Sequence, residues 1–161
     1  MMQDKFIYGQ DIAAYEAAII RLYGDIYLQV EAGDKHAGQT HSLRRLLRTE
    51  SISGEVICAE DGLVGFIIWS QIQDACADII ELCIAPSYRR QGLAASLLDN
   101  MKQQAISRNI TQITLEVRQT NLAACALYEK AGFQVMHRRT GYYQTRDEAV
   151  DALLMACRLG C

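Results

Sequence analysis

Residues 85–98, APSYRRQGLAASLL, set a proline, two arginines and a glycine between an apolar run and an amphipathic one. Pro86 cannot donate a hydrogen bond to a neighbouring strand, so an extended segment reaching it ends or turns outward there. Beyond it Leu93, Leu97, Leu98 and Met101 fall on one helical face, which puts the first turn near Arg90 to Ala94. The leading N–H groups of a helix have no acceptor within it, and the positive end of its dipole lies among them. Such a turn binds anions. Gly92 and Ala94 are small enough for a diphosphate to approach the backbone, and Arg89 and Arg90 add charge. The motif is neither a GxxxxGK[ST] phosphate loop nor a GxGxxG dinucleotide fingerprint. R-x-x-G-x-A equally fits a surface turn with solvated arginines, and on its own leaves both readings open.

The pattern around this turn predicts the elements that hold it. A strand around Phe6 to Tyr8 precedes a helix capped by Asp11, with Ile12, Tyr15, Ile19, Leu22 and Tyr23 at helical intervals and Gly24 as its end. Residues 24–41 are the least regular part, and HSLRRLLRTE resumes a helical pattern through Leu43, Leu46 and Leu47. EVICAE and LVGFIIWS read as two strands joined at Asp61-Gly62, a pair that tolerates the positive φ of a tight hairpin. ADIIELCIA predicts a central strand, apolar enough to be covered on both faces. TQITLEVR alternates Ile113, Leu115 and Val117 with Thr114, Glu116 and Arg118, so its two faces differ. Asn121 can cap the next helix and Gly132 can end it; GFQVMHRR and residues 149–159 complete the sheet. The order predicts an α/β fold, a mixed sheet with helices packed on it.

Half the residues are hydrophobic and the formal net charge is −3, which suits one core in a single domain over residues 1–161. No basic stripe invites nucleic acid. The N-terminal stretch mixes acids among its apolar residues, so neither a secretory signal nor a membrane span is expected, and the location predicted is cytoplasmic. Six cysteines form no CxxC pair, and thiols in a reducing compartment stay unpaired. Cys157 and Cys161 lack a histidine at ligand spacing, so no metal is expected.

Arg89-x-x-Gly92-x-Ala94, followed by LEVRQTNLAACALYEKAGF at 115–133, resembles the GNAT superfamily of acetyl-CoA-dependent N-acetyltransferases. Within it the likeness is greatest to the bacterial ribosomal-protein-alanine N-acetyltransferases. Glu116-Val117-Arg118, Asn121, Leu127-Tyr128 and Gly132-Phe133 stand at the family's spacing from Gly92, and His137-Arg138-Arg139, Tyr142-Tyr143 and Asp151 to Met155 continue it. The resemblance covers about residues 54–159 and is dense from 81 to 143. It implies a mostly antiparallel central sheet with helices on both faces, whose two central parallel strands splay near Ala85 and Arg118.

The resemblance also implies a chemistry. Acetyl-CoA is the co-substrate, with the amides of Arg90, Gln91, Gly92, Leu93, Ala94 and Ala95 holding its pyrophosphate and Leu82, Cys83 and Ile84 pairing with its pantetheine arm. An N–H of that strand, foremost Ile84, would polarise the thioester carbonyl. Glu116 takes the proton acceptor's position, Tyr128 the donor's; Asn121 touches the coenzyme, and Tyr142 and Tyr143 line the acceptor channel. Glu81 competes as base, because some members carry theirs on the third strand. Taken singly, Tyr128 would be a core tyrosine, Glu116 a solvated strand residue and Asn121 a helix cap; their joint spacing argues otherwise. The implied acceptor is a primary amine, foremost the N-terminal α-amine of a ribosomal protein. A small-molecule amine, or acetyl-CoA binding without turnover, are the alternatives. On this side the chain departs from close relatives, which carry a Pro-Trp pair after the first helix. Here GDIYLQVEAGDKHAGQTHSL follows it, the only proline is Pro86, and Trp69 belongs to a strand.

Overall fold

Period-two apolar patterning folds into one seven-stranded sheet in the computed structural model, which describes residues 7–9, 11–30, 42–144 and 149–160. In chain order the elements are β1 (Ile7–Gly9), α1 (Glu16–Val30), β2 (Ile52–Ala59), β3 (Gly62–Gln73), β4 (Cys76–Ile84), α2 (Leu93–Ser107), β5 (Gln112–Arg118), α3 (Leu122–Lys130), β6 (Gln134–Gln144) and β7 (Ala149–Arg158). The sheet runs β1-β2-β3-β4-β5-β7-β6, and only the central β4–β5 pair is parallel.

Alternation along the strands feeds two cores. On one face Ile19, Tyr23 and Ile26 of α1, with Leu43 and Leu47, pack on Val56, Phe66, Ile68 and Cys83. On the other, Leu93, Leu97, Leu98 and Met101 of α2 and Tyr128 of α3 pack on Ile57, Ile67, Trp69, Ile79, Ile113 and Leu115. The strict burial alternation of β5 is the one read from its sequence. Helices therefore lie on both faces.

Three local expectations need correction. Asp11 caps a turn ahead of α1, its Oδ1 accepting from the Ala14 amide at 3.3 Å, and the helix itself starts at Glu16. Gly24 does not end α1, which continues to Val30. A glycine inside a helix costs about 1 kcal/mol, and burial of Ile26 two residues further on offsets it. In the β2–β3 hairpin Ala59 pairs with Gly62, so Glu60 and Asp61 form the turn and the positive φ of 110° belongs to Gly62. Phe6, expected in the first strand, lies outside the described residues.

The central strands part company. Parallel pairing runs from Cys76↔Gln112 to Ile79↔Leu115 and stops, while β4 stays on β3 to Ile84 and β5 stays on β7 to Arg118. At the parting point β4 slips against β3: Trp69 faces Ile79 and Ile68 faces Glu81, leaving Ile80 as an extra residue. A bulge bends its strand and resets which face each later side chain takes. Ala77, Ile79, Leu82 and Ile84 thus meet the α2 core, whereas Cys83 turns to the α1 core.

Candidate active site

Backbone groups at the mouth of this opening follow from one hydrogen bond. Ala85 donates to the Val64 carbonyl on β3 at 2.8 Å. Backbone directions alternate along a strand, so Cys83 also faces β3, and the N–H and C=O groups of Leu82 and Ile84 face the gap. The Ile84 carbonyl agrees, accepting from Arg89 Nε at 3.1 Å. Beyond the strand Pro86 opens a single 3-10 turn, and the first bond of α2 is Ser96 N–H to Gly92 O at 3.0 Å. Among the described residues none accepts from the amides of Arg90 to Ala95. Gly92 caps α2 at φ 82°, and a Cβ built there would have no neighbour within 4 Å. The turn is open to a guest, and its amides are free to hold an anion. Arg90, at φ 63°, adds local strain. Arg89 serves the turn by tying it to β4.

Two carboxylates stand on either side of the gap. Glu116 of β5 accepts from Arg139 Nη1 through Oε2 at 2.8 Å. Glu81 of β4 accepts through Oε1 from the Tyr27 hydroxyl at 3.2 Å and from the Cys83 thiol at 3.5 Å. Deeper in, where the strands still pair, Thr114 donates to Asp78 at 2.6 Å, and desolvation holds that carboxyl above its usual range. Tyr27 lies in the part of α1 beyond Gly24 and packs against Tyr23, ring centroids 4.3 Å apart. Its phenol is pushed up, chiefly by burial and then by Glu81. The Cys83 thiol is raised for the same reasons. Sequence reasoning missed Tyr27 because Gly24 was expected to end the helix; its spacing of four from Tyr23 is the signal that marks it.

Tyr128 is 8% exposed on α3, edge-on to Phe133 with centroids 5.7 Å apart. Burial raises its phenol first, and the Glu81 charge raises it further, so it keeps its proton across the neutral range and lies within electrostatic reach of the gap. Asn121 is the α3 cap, its Oδ1 accepting from the Ala124 amide at 3.2 Å.

Tyr142 and Tyr143 come from β6, which gains two residues on β7 between Arg139↔Ala152 and Tyr143↔Val150. Their rings meet edge to face at 5.2 Å; the Arg139 guanidinium lies 5.2 Å from the Tyr142 centroid and Arg118 lies 4.6 Å from that of Tyr143. Burial, then the Glu116 carboxylate, pushes the Tyr143 phenol up to about 12. Glu116, Tyr142 and Tyr143 are thus gathered on one lip with Arg139 and Arg118, while Glu81 stands opposite. Among the described residues no group of three His, Cys, Asp or Glu could hold a metal ion; Cys161 lies outside them. No helix of the described residues is long and apolar enough to cross a membrane.

A parallel pair opened by a bulge, facing free amides at a helix start, defines a class, and the sequence profile of the Acetyltransferase (GNAT) family matches residues 17–133. The chain belongs to that family. It is 37% identical over 94 residues to the [ribosomal protein bS18]-alanine N-acetyltransferase of Escherichia coli K12, a match covering 58% of this chain and 63% of the relative. Over 79 residues it is 39% identical to an N-alpha-acetyltransferase of Saccharolobus solfataricus, covering 48% of this chain and 46% of that one. The crystal structure of the ribosomal-protein-S18-alanine N-acetyltransferase from Escherichia coli superposes with a TM-score of 0.80 at 25% identity, over 97% of this chain and 95% of that one. The sequence match thus spans less than two thirds of the first of these relatives, whereas the fold match spans nearly all of it.

Proposed function

We propose that the chain transfers the acetyl group of acetyl-CoA to a primary amine, foremost the N-terminal α-amine of a ribosomal protein. The observation that carries this reading is the continuity of the gap: beyond the last β4–β5 pair the backbone of Leu82 and the N–H of Ile84 face it, and it leads to the free amides of Arg90 to Ala95. An extended pantetheine arm needs the first and a diphosphate needs the second. Two curated relatives, named for acetylating alanine of a ribosomal protein and for N-alpha-acetylation, support the acceptor class.

Acetyl transfer makes a C–N bond and breaks a C–S bond, so the amine must shed a proton and the leaving sulfur must gain one. An α-amine titrates near about pH 8, and only a minority is neutral at pH 7. Glu116 accepts that proton, directly or through water. Tyr128, kept protonated by burial, supplies one to the thiolate. The Ile84 N–H, facing the gap, polarises the carbonyl as a single oxyanion donor. Asn121, beyond capping α3, touches the coenzyme, and Tyr142 and Tyr143 line the acceptor's path. Glu81 is the competing base.

A second reading, transfer to a small amine, rests on Tyr27, which reaches Glu81 from turns of α1 beyond Gly24, the stretch where the chain departs from the Pro-Trp pair. Incubation with acetyl-CoA and either an alanine-initiated peptide or spermidine distinguishes them by thiol release and by which acceptor gains the mass of an acetyl group. Acetylation of spermidine alone rejects the first reading. Coenzyme binding with no release across a broad panel of N-terminal peptides, polyamines, amino sugars and amino acids favours binding without turnover.

A further inference from the structure

We propose that Asp151 is a positioning residue that sets the acceptor lip from behind the sheet. The proposal rests on the reading above that Glu116, Tyr142 and Tyr143 serve the acceptor. Asp151 occupies the β7 face it shares with Leu153 and Met155, the α2 side, opposite to Glu116. Its Oδ1 accepts from the Gly141 amide at 2.8 Å, its Oδ2 accepts from Arg138 Nε, and its backbone carbonyl accepts from the Gln119 amide at 2.9 Å. One residue ties the end of β5, the bulged stretch of β6, and β7 itself.

The consequence for the front of the sheet follows from strand alternation. Arg138 and Arg139 are consecutive, so holding Arg138 behind the sheet turns Arg139 to the front, where it meets Glu116 at 2.8 Å. Gly141 stands at φ 63° among the extra residues of β6, a conformation that favours glycine, and the Asp151 carboxylate holds its amide in place. That held turn delivers Tyr142 and Tyr143 to the lip. The carboxyl of Asp151 lies below its usual range because the Gly141 amide and then Arg138 favour its charged form. Nothing in the reacting chemistry touches it.

The test compares Asp151→Asn, Asp151→Glu, Gly141→Ala and Tyr143→Ala, using acetyl-CoA and an alanine-initiated peptide, with backbone amide exchange followed by NMR. Loss of a charge-assisted hydrogen bond predicts that Asp151→Asn raises the peptide KM about tenfold, keeps the acetyl-CoA KM within about twofold, and speeds exchange at Gly141. Asp151→Glu recovers part of the loss. Gly141→Ala probes the same link with the carboxylate intact: its Cβ would meet only the Ala149 Cβ, at 3.5 Å, so the strained φ alone acts, and the same KM split is expected. An unchanged peptide KM and unchanged Gly141 exchange in Asp151→Asn overturn the proposal, as does an equal rise of both KM values, which marks general loosening. If Tyr143→Ala leaves the peptide KM unchanged, the reading of the lip is wrong and the proposal goes with it. If Tyr143→Ala raises it and Asp151→Asn does not, the clamp alone is wrong.

Discussion

Glu116 and Glu81 offer the same functional group from opposite sides of one gap, and their partners differ in kind. A guanidinium holds Glu116, whereas a hydroxyl and a thiol hold Glu81. If Glu116 is the base, Glu116→Gln lowers kcat by about 10²- to 10⁴-fold at saturating acetyl-CoA, the range of general base catalysis, while Glu81→Gln acts mainly on the acceptor KM. The reverse ranking gives the role to Glu81. Tyr128→Phe tests the proton donor: kcat falls by about 10²-fold or more with coenzyme affinity unchanged, because only a hydroxyl is removed. The sequence singles these residues out through the family resemblance, which assigns each a role by its position relative to Gly92. Their partners were not legible there. Tyr27 meets Glu81 across 54 positions and Arg139 meets Glu116 across 23, distances no local pattern encodes.

At the scale of elements, turns and bulges decide what faces the gap. Gly92→Ala places a side chain at φ 82° without a clash, so the expected loss is the left-handed strain of about 1–2 kcal/mol, seen as a lower Tm, together with weaker acetyl-CoA binding by calorimetry. The strand–turn–helix order around Gly92 could be read from residues 85–98 because proline, glycine and helical spacing are local signals. The extra residue at Ile80 could not, since β4 reads as a continuous apolar run and only its register on β3 exposes the slip. The overrun of α1 past Gly24 was hidden for a related reason: propensity is weak beside the burial of Ile26. The clamp at Asp151 also carries a pH signature. Its native carboxyl titrates below the unfolded value, so its contribution is complete above the unfolded range and is lost as pH falls through the lowered native one. The Gly141 amide shift, followed against pH, should report a midpoint below the ordinary aspartate range; an ordinary midpoint would contradict the hydrogen bonding described.

Over the whole molecule, stability resides in the two cores. Leu97 is fully buried between α2 and the sheet, and Leu97→Ala should cost about 2–5 kcal/mol by denaturant unfolding. The sheet that separates those cores is less uniform than its seven strands suggest. Its four-strand and three-strand leaves are sewn together by four residue pairs, from Cys76↔Gln112 to Ile79↔Leu115. A guest laid along the unsewn part adds stitches to that seam and so belongs to the architecture while it stays. Saturating acetyl-CoA at about a hundred times its Kd should accordingly deepen the native well by about 2.7 kcal/mol, and amides bordering the seam should slow their exchange most.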